Sequence, residues 1–181
     1  MRQLLKMASA MLCLQVFLGS LVQAGWDPRA EREAEHEARE TIKRFREADP
    51  ELKEFFDKAY GYAVFPTVGK AGMWIGGAYG TGVVFEHGRV IGKASLTQAT
   101  IGLQMGGQTY SEIIFFKDRA VLEDFKQGNL ELSAQASAIA AKTGASADAD
   151  YTEGVAVFTL PKAGLMAEAS VGGQKFSFEP W

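Results

Sequence analysis

Residues able to break covalent bonds are scarce in this 181-residue chain, and their spacing builds no familiar catalytic set. There are two histidines, His36 and His87, and one cysteine, Cys13. His36 falls in a charge-rich stretch, and His87 in the polar turn Glu86-His87-Gly88-Arg89. No Gly-x-Ser-x-Gly, His-Glu-x-x-His or phosphate-loop pattern occurs. Half of the 22 carboxylates lie in the charged N-terminal segment, where a solvated helix face accounts for them. The expectation is a protein that is not an enzyme, with no catalytic residue, no metal ligand and no cofactor.

Chemistry of contact is better supplied. Twelve of the 20 glycines fall between Gly61 and Gly107, interleaved with Val, Ile, Phe, Trp and Met. Glycine in strands marks a bulge, a bend or a close approach of another backbone or a ligand. The cluster Gly76-Gly77-Ala78-Tyr79-Gly80-Thr81-Gly82 has neither the order of a dinucleotide loop nor the ending of a phosphate loop. Lys70 and Lys162 each precede Ala-Gly and are expected at turns, where their ammonium groups and the amides around Gly72 and Gly164 would receive a phosphate head group. Arg89 and Lys93 are further candidates near strand ends. Trp74 and Tyr79 suit a membrane interface, since each has an apolar body and a polar tip.

Several elements must position these groups. Residues 1–24 read as a secretory signal: Arg2 and Lys6 precede the apolar run Met11–Leu18, and Val22-Gln23-Ala24 offers a cleavage point. The expected location is therefore periplasmic or secreted. Loss of Arg2 and Lys6 takes the net charge from −3 to −5 and leaves no cysteine. That acidity argues against nucleic acid as a partner. Residues 25–50 read as a helical lead, with Asp27 as cap and a helix over Pro28–Ala48 whose narrow apolar face is mostly alanine. Asp49 and Pro50 open a second short helix, stopped by Gly61. Strands are expected at Tyr62–Val68, with a bulge at Pro66, and at Gly72–Phe85, Val90–Leu96, Thr100–Gly106 and Tyr110–Phe116. A helix from Lys117 to about Lys126 follows. Leu130–Ala141 reads as strand, and three strands, Val155–Leu160, Gly164–Val171 and Gln174–Phe178, close the chain. The fold class is α+β: two N-terminal helices and one internal helix on a curved, mostly antiparallel, glycine-rich sheet, with a barrel-like form as one outcome of that curvature.

The order Gly61-Tyr-Ala-Val-Phe-Pro, Lys70-Ala-Gly, Gly76-Gly and Gly80-x-Gly82-Val-Val resembles the signature of the SYLF domain family. Gly106-Gly107-Gln108, then Ala120, Val121 and Phe125, then Lys162-Ala-Gly164-Leu165 extend the match from about Leu52 to Phe178. The resemblance assigns 51–181 to a SYLF-like domain. It implies a non-catalytic lipid-binding module. Eukaryotic members bind phosphoinositides, and fungal ones also bind actin. For this chain it implies an anionic phospholipid or membrane surface of the cell envelope as partner. An envelope protein is the alternative, and actin is a target only after export to a host.

Overall fold

The computed structural model describes residues 27–132 and 138–181; residues 1–26, and with them the expected signal, lie outside the described residues. The chain divides into two units, Met1–Glu31 and Arg32–Trp181. In the first, the Asp27 carboxylate accepts the Arg29 amide at 2.9 Å and so caps helix α1 (Pro28–Ala48).

In the second unit, α1 buries Ala38, Thr41, Ile42 and Phe45, positions one helical turn apart. A short 3-10 turn (Pro50–Leu52) leads into α2 (Lys53–Lys58). Asp49 stands before this turn as expected, but its side chain does not cap it. The carboxylate instead accepts the amides of Gly144 and Ser146, at 3.3 and 2.8 Å. Gly61 does not stop the helix, which ends at Lys58; it opens strand β1 (Gly61–Gly72).

Strand β2 (Ile75–Glu86) forms a hairpin with β1 through the two-residue connection Met73-Trp74. The polar turn at His87-Gly88 then leads into β3 (Arg89–Phe116). Where three strands were expected there is this single strand, because the intervening residues bend the ladder without breaking it. The same holds for β6 (Val155–Pro180). Between β3 and β6 lie α3 (Arg119–Lys126), whose first amides are capped by Asp118, and the two-residue strands β4 (Glu131–Leu132) and β5 (Ile139–Ala140). The expected strand Leu130–Ala141 is thus present at its two ends, and 133–137 lie outside the described residues.

The registers define an unusual path. One edge of β3 pairs with β6 throughout, from Gly92↔Pro180 to Phe116↔Val155. Its other edge pairs first with β2, ending at Ile75↔Ile101, and then with β1, starting at Gly72↔Gly106. Since β1 and β2 are antiparallel, the two halves of β3 must run in opposite directions. β3 therefore doubles back between Ile101 and Gly106, and β6 follows it. Gly102 (φ 143°) and Gly106 (φ 119°) supply backbone angles that residues with a Cβ avoid. The β1–β2 hairpin is nested within the bend of β3, which is nested within the bend of β6. The order across the sheet is β6 (C-terminal half), β3 (N-terminal half), β2, β1, β3 (C-terminal half), β6 (N-terminal half). β4 and β5 border its two outer edges. Among the described residues those edges do not pair, so the sheet is open rather than a barrel.

Alternation along the strands divides the core in two. Ala63, Phe65, Ile114, Phe116 and Val157 point inward to a cluster completed by Leu122 and Phe125 of α3 and by Phe176. Tyr62, Val64, Ile113, Phe115 and Phe158 point outward to a second cluster, covered by Phe45 of α1 and Phe55 of α2. Both faces are thus buried near the chain ends of the hairpin. Among the described residues, no helix lies over the outer face of the far half of the sheet, toward Met73-Trp74.

Candidate functional site

Cross-strand partners share a face, so the registers lay out the bare half row by row. One outer row reads Gly173, Ala99, Gly77, Ala71, Gly107 across five strand segments. The row is paved with small residues, and the shallow trough above it is lined by Gly69, Ala71, Gly77, Tyr79, Gly107 and Ala163. Large apolar side chains stand around it. Ile75 and Ile101 are direct partners, yet 75% and 73% exposed. Trp74 is 66% and Tyr79 58% exposed, with Met73 and Met105 also in solvent. No charged residue occurs between Lys70 and Glu86 or between Lys93 and Glu112. The result is a contiguous exposed apolar surface on the sheet, with Lys70 at its trough and Lys175 on the row of Tyr79 and Thr97. Ile75, Ile101, Met73 and Met105 were not singled out by the sequence reading. The long charge-free runs were the signal that could have found them.

Of the basic candidates only Lys70 borders this trough, and Lys162, Arg89 and Lys93 do not line it. Lys70 lies within β1 and Lys162 within β6, so neither stands at a turn. Lys70 pairs in register with Ala78 and Gln108 and faces inward, toward Glu112. Lys162 sits at a bulge of β6, and its Nζ donates to Thr67 Oγ1 at 2.7 Å and to the Pro66 carbonyl at 3.3 Å. Thr67 is on the outer face. The two lysines therefore occupy opposite faces and form no common head-group basin. Gly72 ends β1 against Gly76 and Gly106, and Gly164 pairs with Gln108 inside β6. Arg89 faces Glu86 at the other end of the hairpin, and Lys93 pairs with Glu179 at 3.0 Å. At about 3.3 Å per residue, a strand as long as β2 sets Arg89 roughly 35–40 Å from Trp74. The candidates the structure does bring together are Trp74 and Tyr79, at one end of one sheet. Cations gather instead along α1, where Arg39, Lys43 and Arg46 border a groove floored by Ile42 and Tyr62.

The inner face of the same half is polar. One row reads Gln174, Gln98, Ala78, Lys70, Gln108 across five strand segments. Behind it lies Glu112, 1% exposed. Gln174 Nε2 donates to Glu112 Oε2 at 3.1 Å, and Oε1 has no partner among the described residues. Burial pushes the Glu112 carboxyl up to about 7, against the opposing influence of Gln174 and of the Lys70 ammonium. These groups line a cavity of about 240 Å³.

His36 is exposed on α1, and the His87 ring meets that of Tyr60 at 4.4 Å. Among the described residues no histidine, cysteine or carboxylate cluster could hold a metal ion.

Residues 97–180, from mid-β3 to the end of β6, match the family described as Ysc84, Las17-binding protein actin regulator. A protein of Aeromonas veronii called beta cell expansion factor A is 32% identical over 130 residues, covering 70% of this chain and 49% of that relative. The match therefore spans about half the length of the relative. Residues 97–180 thus match the Ysc84 family, in line with the SYLF resemblance of the sequence motifs.

Proposed function

We propose that this chain is a non-catalytic phospholipid-binding module of the cell envelope, secreted by its N-terminal leader, that seats the outer face of its bare half-sheet on a bilayer. One observation carries the reading: an exposed apolar surface around the Ile75–Ile101 pair, bordered by Trp74 and Tyr79. Indole and phenol rings favour the boundary between head groups and acyl chains. Tyr79 is carried by strand β2, and Trp74 by the tight connection between β1 and β2. No helix among the described residues is long and apolar enough to cross a membrane.

This geometry shifts weight from charge to apolar contact. Lys162 is bonded to Thr67, Lys93 is paired with Glu179, and Lys70 faces inward. A preference for anionic lipid therefore has few residues behind it. The test is flotation with vesicles of neutral phosphatidylcholine alone and with added anionic phosphatidylglycerol. Comparable binding to both is expected. Binding only to the anionic vesicles would restore the head-group mechanism. Binding to neither, with a delipidated envelope protein captured through the same face, would favour a protein-interaction module.

A further inference from the structure

The end of the bare half-sheet carries a pair of thioethers. The β1–β3 register closes at Gly72↔Gly106, and the next residues in line are Met73 and Met105. The connection that holds Met73 is tied to the bend of β3, where the Gly102 amide donates to the Trp74 carbonyl at 3.1 Å. Met73 is 62% and Met105 65% exposed, at the same end of the sheet as Trp74, Ile75 and Ile101. Neither methionine belongs to a core cluster.

That exposure decides their chemistry. A thioether sulfur is soft and polarisable, and in water it is open to two-electron oxidants. With hydrogen peroxide, a sulfur lone pair attacks one peroxide oxygen. The S–O bond forms as the O–O bond breaks, and the departing hydroxide takes up a proton and leaves as water. Sulfur gives up two electrons, and the peroxide is reduced by them. The product is a sulfoxide, which turns a flexible apolar side chain into a polar one. In water this costs the fold little, because neither sulfur packs in the core. Against acyl chains the sulfoxide oxygen is an acceptor with no donor, and its transfer is opposed.

We propose, resting on the bilayer reading, that Met73 and Met105 are a reversible oxidation site through which peroxide-class oxidants release the sheet from the bilayer. The full chain is treated with hydrogen peroxide, the oxygen is located by peptide mass mapping, and flotation with phosphatidylcholine vesicles is measured before and after. Each of the two sulfurs is expected to gain one oxygen. Vesicle affinity should fall about tenfold or more, with the thermal midpoint close to that of the untreated chain. Methionine sulfoxide reductases acting on both sulfoxide epimers, with dithiothreitol as reductant, should restore flotation. The variant Met73→Leu with Met105→Leu keeps apolar side chains of similar volume, and it should float like the parent both before and after peroxide. It retains Met1, Met7, Met11, Met166 and Cys13, so oxidation at those residues is common to both proteins. Oxidation of both sulfurs with undiminished flotation overturns the proposal. So does an equal loss in the leucine variant, or oxygen uptake that spares the pair. An untreated chain that does not float removes the bilayer reading and the release with it, a failure visible before any oxidant is added.

Discussion

Gln174 and Glu112, 62 positions apart, are joined by a 3.1 Å hydrogen bond that crosses the inside of the folded sheet. They are not neighbours in any ladder. Gln174 pairs in register with Gln98 and Leu132, and Glu112 with Phe65 and Thr159. The bond therefore ties the C-terminal half of β6 to the C-terminal half of β3, two limbs brought face to face only because both strands double back. It is a polar clasp above an apolar floor, where Phe65 meets Phe176 at 6.0 Å.

The clasp should make stability depend on pH. Burial raises the folded-state pKa of Glu112 to about 7, above the 4.5 of a free carboxyl. The folded protein thus holds this proton more tightly than the unfolded chain. The resulting stabilisation is fully present below about pH 4.5 and is lost as pH rises through about 7. Glu112→Gln removes the titration while keeping a partner for Gln174. Relative to the parent, the variant should gain roughly 2–3 kcal/mol between about pH 4.5 and 8. Urea melts of both proteins at several pH values measure the difference. A constant offset would mean that the Glu112 carboxyl is not held above its ordinary range.

Two glycines should respond in opposite ways to alanine. The bulge at Pro66 shifts the β1 register between Val64 and Thr67 and drives the backbone toward β2. A Cβ at Gly82 would lie 2.3 Å from the Val64 carbonyl oxygen, a backbone atom with no freedom to swing away. Gly82→Ala should cost on the order of 1–3 kcal/mol, the usual penalty of overpacking. At Gly69 a Cβ meets nothing within 4 Å, and Gly69→Ala should stay within about 0.5 kcal/mol of the parent. Equal losses in chemical denaturation would show that the bulge does not set the spacing.

Much of this architecture is legible in the residues. Periodicity and the Asp27-Pro28 pair place α1 at its observed ends, and Asp118 marks the start of α3. The apolar run Tyr62–Val68 and the flaw at Pro66 identify the first strand and its bulge. The strands of the second half were divided too finely, because glycine and Lys-Ala-Gly were read as turns. In β3 the glycines turn a continuous ladder, and in β1 and β6 Lys-Ala-Gly lies inside strands. Local sequence cannot tell a bend that keeps its partners from one that loses them; the register with β6 decides. The same limit hid the surface. Exposure of Ile75 and Ile101 follows from where α1 and α2 stop covering the sheet, which no local pattern encodes.

Asp49 offers a test of how the first helices are tied to the sheet. It is fully buried, and its carboxylate holds the amides of Gly144 and Ser146 from the loop that follows β5. Hydrogen bonds to a charged acceptor contribute about 1.5–3 kcal/mol each, more than neutral ones. Asp49→Ala removes both and leaves two amides short of a partner. It should destabilise by roughly 2–4 kcal/mol. In amide exchange, Gly144 and Ser146 should lose protection before the sheet does. Protection unchanged at those two amides would mean that the loop is held by other contacts.

The bilayer reading makes its sharpest prediction at the Ile75–Ile101 pair. Both side chains already stand in water, so replacing them with aspartate removes little folding energy. Each would lose the transfer of an isoleucine side chain into an apolar phase, about 1.5–3 kcal/mol when complete. It would also place a carboxylate at the boundary. Ile75→Asp with Ile101→Asp should therefore abolish flotation with neutral vesicles while the protein stays folded, its thermal midpoint lowered by the two like charges that face each other across the ladder. Trp74→Ala alone should weaken it about tenfold. Lys162→Ala, which frees only a lysine bonded to Thr67, should change vesicle affinity little. Added salt discriminates further, because an apolar contact is not screened whereas a head-group contact weakens as the Debye length shrinks. Undiminished flotation of the double aspartate variant would move the contact surface elsewhere, and the cationic groove of Arg39, Lys43 and Arg46 on α1 would be the next face to mutate.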